Sequence, residues 1–167
     1  MRVVKLVLQA LMQSYSDKSI FTETRDTSDI PTRTAVVGMI AGAMGVKRDD
    51  FESLDALGES LEIRVRPHQD MPDKMSDMQT IRGAAFPVAS GAWKPALPLV
   101  TKEYIVGAGY DVYITTDDET AKKIADAVQH PVYPTVLGRK CCSPATRVFQ
   151  GVMDEIPEEE AKACIYL

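Results

Sequence analysis

Two short clusters carry the residue types that hold phosphate. One is Arg25 with Thr32-Arg33-Thr34, where Pro31 leads straight into a helix-like run. The other is Gly138-Arg139-Lys140, a glycine turn with two adjacent cations. Arginine forks match phosphate oxygens in both geometry and charge, and glycine lets a backbone approach closely. The unpaired N–H groups at a helix start act in the same direction. Both clusters adjoin expected strand ends, where a fold can bring them together. That pattern favours binding a polyanion such as RNA over small-molecule catalysis.

Other chemistries find little support. The chain has neither a GxxxxGK[ST] phosphate loop nor a GxSxG elbow, and Gly38 to Gly45 does not match GxGxxG. The two histidines, His68 and His130, both adjoin proline and read as turn or surface residues. Cys141, Cys142 and Cys164 have neither a disulfide-framework nor a zinc spacing, so free thiols in a reducing compartment are expected. Cys142, near Arg139 and Lys140, is a candidate for a lowered pKa, but nothing in the sequence marks a base to activate it. The carboxylates sit in solvated runs. No catalytic residue, metal or cofactor is therefore expected.

The 167 residues suit one domain with a proper core, and a composition of 45% hydrophobic and 26% charged residues is that of a soluble globular protein. No apolar run approaches the roughly 18 residues of a membrane span, and the N-terminus lacks a cleavage pattern, so a cytoplasmic location is expected. The net charge of −5 argues against nucleic acid, but its distribution does not. Residues 49–62 hold six acids and residues 154–160 hold five, with no base in either run. The remainder carries 19 bases against 13 acids. A basic surface on an acidic protein follows if that linear segregation is also spatial.

The elements that must position the clusters read as follows. Val3 to Leu11 is a buried first strand and 14–31 a polar loop. In the helix over about 33–45, Val37, Ile40, Ala41 and Met44 form one apolar stripe. Gly38, Gly42 and Gly45 interrupt it, each interior glycine costing about 1 kcal/mol relative to alanine. Close packing of the helix on a sheet is the expected reason. Phe51, Leu54 and Leu57 mark a short second helix, and Leu61 to Arg66 alternates as a strand ended by Pro67. Residues 68–101 hold four prolines, Met71, Met75, Met78 and Trp93 with no sustained period, and read as a long loop or arm. Lys102 to Thr115 is one β-rich run, kinked at Gly107 and Gly109. Thr116 to Glu119 reads as a capping box before a helix bearing Ala121, Ile124, Ala125 and Val128. Val132 to Leu137 returns as a strand, Thr146 to Met153 is a candidate strand, and Ala163 to Leu167 is a last short one. The resulting order is a βαββαβ core with an insertion, an α+β fold of the ferredoxin-like (RRM-type) class, whose open sheet face is a common RNA platform.

Several separate blocks then point to a family. PTRTAVVGMIAGAMGVKRDD (31–50), LDALGESLEIRVR (54–66), MQTI (78–81), TKEYIVGAGYDVYI (101–114) and VYPTVLGRKCCSP (132–144) together resemble the CRISPR-associated CasD family, subunits of the type I-E Cascade complex. The resemblance implies a ferredoxin-like core with a thumb inserted at about 68–101. It also implies a non-catalytic role in antiviral defence: holding the 5′ handle of the guide RNA at one end of Cascade, against the backbone subunits and the large subunit, with target DNA reached only through the complex. Carried over, Arg25, Thr32, Arg33 and Thr34 line the handle site beside the Gly138-Arg139-Lys140 loop. Arg82, Trp93 and Lys94 fall in the thumb. The segment 152–167 reads as a short C-terminal extension of a single domain, and the chain as a C-terminally compact variant. Two alternatives stay open: a metal-independent endoribonuclease for precursor RNA, with Tyr15, His68 and Lys94 as the residues to suspect, and a regulatory module that recognises protein alone.

Overall fold

Alternation of Val4, Leu6 and Leu8 gives the first strand one wholly buried face, and the main sheet is laid on either side of it. The computed structural model describes residues 1–16, 24–80, 85–87, 90–95 and 99–167, with backbone only at 85–87, 94 and 95. In chain order the elements begin with β1 (Arg2–Gln9), β2 (Met12–Gln13), β3 (Thr24–Arg25), α1 (Arg33–Met44), α2 (Phe51–Glu59) and β4 (Glu62–Pro67). Then come β5 (Asp73–Thr80), β6 (Ala85–Pro87), β7 (Trp93–Pro95), β8 (Leu99–Val106) and β9 (Gly109–Thr116). The chain closes with α3 (Asp118–Gln129), β10 (Phe149–Met153), α4 (Glu158–Lys162) and β11 (Ile165–Tyr166).

The main sheet has the order β10-β1-β9-β4-β11, antiparallel at every step. Its register stacks apolar rows: Val4 faces Ile114, Leu6 faces Val112, and Ile63 and Val65 meet the same two residues from β4. Val36, Val37, Ile40 and Ala43 of α1 join that face, as do Ala121, Ile124 and Val128 of α3, in one core cluster. The chain is therefore α+β, with β1, α1, β4, β9, α3 and β10 in the expected succession.

The other face of the sheet is partly covered by an ion-pair network. Lys5, Arg66, Asp111 and Tyr113 project there, and Glu160 of α4 sits among them. Lys5 Nζ lies 3.2 Å from Glu160 and 3.6 Å from Asp111, His68 Nε2 lies 2.9 Å from Asp111, and the Tyr113 hydroxyl donates to Glu160. Tyr113 is fully buried as a result. The open RNA platform expected on this sheet is not there.

Four further expectations are corrected. Lys102 to Thr115 is two strands in different sheets. β8 is the centre of a second sheet, pairing antiparallel with β2 and β5 and parallel with β3. Gly107, at φ +67, turns the chain into β9. The arm at 68–101 contains β5 and the β6–β7 hairpin; nearly every β5 residue is exposed, so no one-sided burial imprinted an alternation on its sequence. Val132 to Leu137 is not a strand. Val132 N–H donates to Ala43 O at 2.9 Å and Tyr133 N–H to Gly42 O at 3.3 Å, so the segment satisfies the end of α1, and Pro134 has no N–H for a ladder. The fourth core strand is β10. Finally, Asp117, not Thr116, caps α3, accepting from Glu119 N and Thr120 N.

Candidate nucleic-acid interface

The segment that caps α1 also walls a cleft. Between the N-terminal half of α1 and residues 133–139 lies an open depression of about 580 Å³, and four of the expected phosphate-holding residues line it: Thr32, Thr34, Gly138 and Arg139. More than a hundred residues apart in sequence, the two clusters converge because Ser14 N–H donates to Leu137 O and because Gly138 is tight against the same strand end. A Cβ at Gly138 would fall 1.6 Å from Ser14 O, and its φ is +96. Only glycine fits there.

Arg139 is held for work in this cleft. One guanidinium nitrogen donates to Glu103 O at 2.9 Å, another to Arg25 O at 3.1 Å, and the group lies over the Tyr104 ring at 4.6 Å. The planar group is thus fixed in advance at the cleft, so little entropy is lost if it binds a ligand there. Thr32 caps α1, its Oγ1 accepting from Ala35 N at 3.4 Å, while the first N–H groups of the helix have no intrahelical acceptor. Arg25 reaches the site through its carbonyl; its side chain and that of Lys140 are exposed nearby without lining the depression.

Arg33 behaves differently. Its guanidinium donates to Gly58 O at 2.7 Å, Leu61 O at 2.9 Å and Leu167 O at 3.2 Å, tying α2, β4 and the C-terminal strand together. It lines a different groove and not the cleft. Of the arm residues, Trp93 is exposed, Lys94 lies on β7 with only its backbone described, and Arg82 is outside the described residues.

Two cleft residues escaped the sequence reading. Arg48, exposed just past the left-handed Gly45 that ends α1, lies at one end, and half-exposed Tyr133 supplies an aromatic face. Arg48 sat in a basic-acidic run, KRDD, with nothing to mark its direction. The floor is equally informative: Gly38 and Gly42 line the cleft, and a Cβ on either would meet nothing within 4 Å. Helix–sheet packing, the reason expected for them, does not require them.

The residues suspected for catalysis are not gathered in one place: Tyr15 lines the cleft, His68 lies elsewhere, and the Lys94 side chain is outside the described residues. Tyr15 is buried, its hydroxyl donates to Gln13 Oε1 at 2.6 Å, and burial pushes its pKa well up. His68 is bound to Asp111, in the network on the far sheet face. Burial also pushes the Cys142 thiol up to about 11, against the lowering that neighbouring cations suggested. Its Sγ lies 3.9 Å from that of Cys141. Among the described residues no group of three or more His, Cys, Asp or Glu side chains is arranged to hold a metal, and no helix is long and apolar enough to cross a membrane.

Residues 3–165 match the model of a family described as CRISPR-associated protein (Cas_Cas5). The chain is 28% identical over 166 residues to the CRISPR system Cascade subunit CasD of Escherichia coli (strain K12), covering 93% of this chain and 73% of that protein. One chain of a solved CRISPR RNA-guided surveillance complex superposes with a TM-score of 0.75 at 31% identity, over 87% of this chain and 61% of that one. A crystal structure of a Cas protein gives 0.65 at 25% identity, over 96% and 69%. The chain thus spans less than two thirds of the surveillance-complex chain.

Proposed function

Because the chain belongs to the CRISPR-associated Cas5 family, we propose that it is a non-catalytic subunit of a Cascade-type, RNA-guided surveillance complex that grips the 5′ handle of the guide RNA in the α1 cleft. The observation that carries this reading is the convergence of Thr32, Thr34, Gly138 and Arg139 with Arg48 and Tyr133 around one open depression. Arginines take phosphate oxygens, hydroxyls and helix N–H groups add hydrogen bonds, and Tyr133 offers a face on which a base stacks. The glycine floor lets a strand lie directly on α1. Arg25 and Lys140 extend the positive rim, while Arg33 holds the scaffold behind it.

The core is ferredoxin-like in this reading. Its support is the strand order β10-β1-β9-β4, with α1 and α3 as the two crossovers. RNA uses the helix side of the fold, since Glu160 and α4 occupy the other sheet face. The whole chain acts as one domain in the cytoplasm, with β5 to β7 as a thumb, bearing Arg82, Trp93 and Lys94, and residues 152–167 as a short closing segment. The subunit contacts the backbone and large subunits and reaches target DNA only through the complex.

Incubating purified protein with a labelled repeat RNA in EDTA tests the non-catalytic part. Binding without site-specific cleavage is expected, given that the hydroxyl of Tyr15 is buried and bonded. Cleavage at a single position would overturn it in favour of an endoribonuclease.

A further inference from the structure

On the side of α1 toward α2 lies a second groove of about 540 Å³, and its rim carries carboxylates where the RNA cleft carries arginines. Thr34, Val37 and Gly38 line it from α1, Phe51 and Leu54 from α2, with Asp55 and Glu59 at the rim; Arg33 lines it too, its guanidinium engaged by backbone carbonyls. Phe51, Leu54 and Leu57 have the spacing of a core-facing stripe, yet α2 contains no buried residue and Phe51 is 70% exposed. All six acids between 49 and 62 are exposed, and among the described residues only Glu62 forms an ion pair, with Arg64. The groove is also rigid: Asp50 caps α2 at one end, and Arg33 fixes the carbonyls of Gly58 and Leu61 at the other.

A preformed apolar slot with an exposed aromatic wall and a carboxylate rim repels RNA and suits protein. We propose that this groove docks a neighbouring protein subunit through one apolar side chain flanked by lysines or arginines, beside the RNA cleft with which it shares Thr34 and Gly38. The identity of that neighbour as another subunit of the same complex rests on the function proposed above. The docking chemistry rests on the groove alone. A second copy of this chain is the less suited occupant, because the groove would then need a basic and apolar patch on the same molecule.

The test co-expresses the chain with the backbone and large subunits and guide RNA, and measures its incorporation by native mass spectrometry. Phe51→Ser and the charge reversal Asp55→Lys/Glu59→Lys are compared with the unaltered chain. Each is expected to lower incorporation about tenfold, the scale of losing an interface anchor. Binding of labelled 5′-handle RNA by the isolated subunit should stay within about twofold, because neither substitution touches the cleft; both sets of positions are solvent-exposed, and thermal melts confirm folding. Unchanged incorporation overturns the inference, as does a parallel loss of RNA binding, or a dimer of this chain that Phe51→Ser abolishes. If the unaltered subunit fails to hold RNA yet incorporates in a Phe51-dependent way, the docking groove stands and the RNA reading falls.

Discussion

Arg33 and Arg139 look alike in sequence, each the central arginine of a short cluster suited to phosphate, and the fold gives them different places. Arg33 gives its donors to three backbone carbonyls from distant segments away from the cleft, whereas Arg139 bonds two carbonyls while lining the cleft itself. No sequence signal separates them, since the acceptors are tertiary. Arg33→Ala leaves Gly58 O and Leu61 O without these donors and should cost about 2 kcal/mol, given that bonds to charged groups contribute roughly 1.5–3 kcal/mol. The checking measurement is a denaturant midpoint; an unchanged midpoint would show that water replaces the guanidinium at no loss. A second prediction concerns acid. Burial alone would raise the Asp111 pKa, but bonds from Arg66 and His68 and the charge of Lys5 hold it below the usual carboxylate range; the Tyr113 bond and Lys5 do the same for Glu160. Both carboxylates are more acidic folded than unfolded. Their contribution is therefore complete above the unfolded values near pH 4 and lost as pH falls through the lower folded ones. Thermal stability should drop below about pH 4, and Asp111→Asn should flatten that dependence; an equally steep drop in the variant would place the acid sensitivity elsewhere.

Elements with one-sided burial were legible, and the others were not. β1, β4 and α3 each carry an apolar stripe against the core, so their periods survive in the sequence. β5 is exposed, Val132 and Tyr133 spend their N–H groups on α1, and the β8–β9 boundary depends on a single left-handed glycine. The three glycines of α1 show the same division. Gly45 is required by its φ of +83, but Gly38 and Gly42 sit in ordinary helix with open space beside them. Alanine at either should therefore stabilise the protein by up to about 1 kcal/mol, while its methyl intrudes on the surface where RNA is proposed to lie. Gly38→Ala/Gly42→Ala is expected to melt higher and bind handle RNA more weakly. A lower melting temperature would mean that the glycines serve packing after all.

At the scale of the whole molecule, segregation of charge along the sequence does become segregation in space. Five of the six 49–62 acids gather on α2 and the preceding turn, with Glu62 on β4, and Glu160 from the second acidic run neutralises the far sheet face. Arg48 and Arg139 stand at the cleft, with Arg25 and Lys140 nearby. A chain with net charge −5 thus gathers cations at the cleft proposed for RNA without a basic surface overall, an arrangement that would limit non-specific binding elsewhere on the molecule. What the sequence could not supply was direction: the two phosphate-holding clusters were recognisable by residue type, but the cleft that unites them depends on the close approach of Gly138 to Ser14.

The central claim is that this cleft neutralises guide-RNA phosphates, and the salt dependence of binding reads that most directly. Affinity for a 5′-handle oligonucleotide, measured across a salt series, should fall on a log–log plot by about 0.7 for each phosphate contact on a single strand. Arg48→Ala/Arg139→Ala should weaken binding and make that slope shallower by about 1.4. A double variant that binds with the slope of the unaltered protein would contradict the account and place the handle elsewhere.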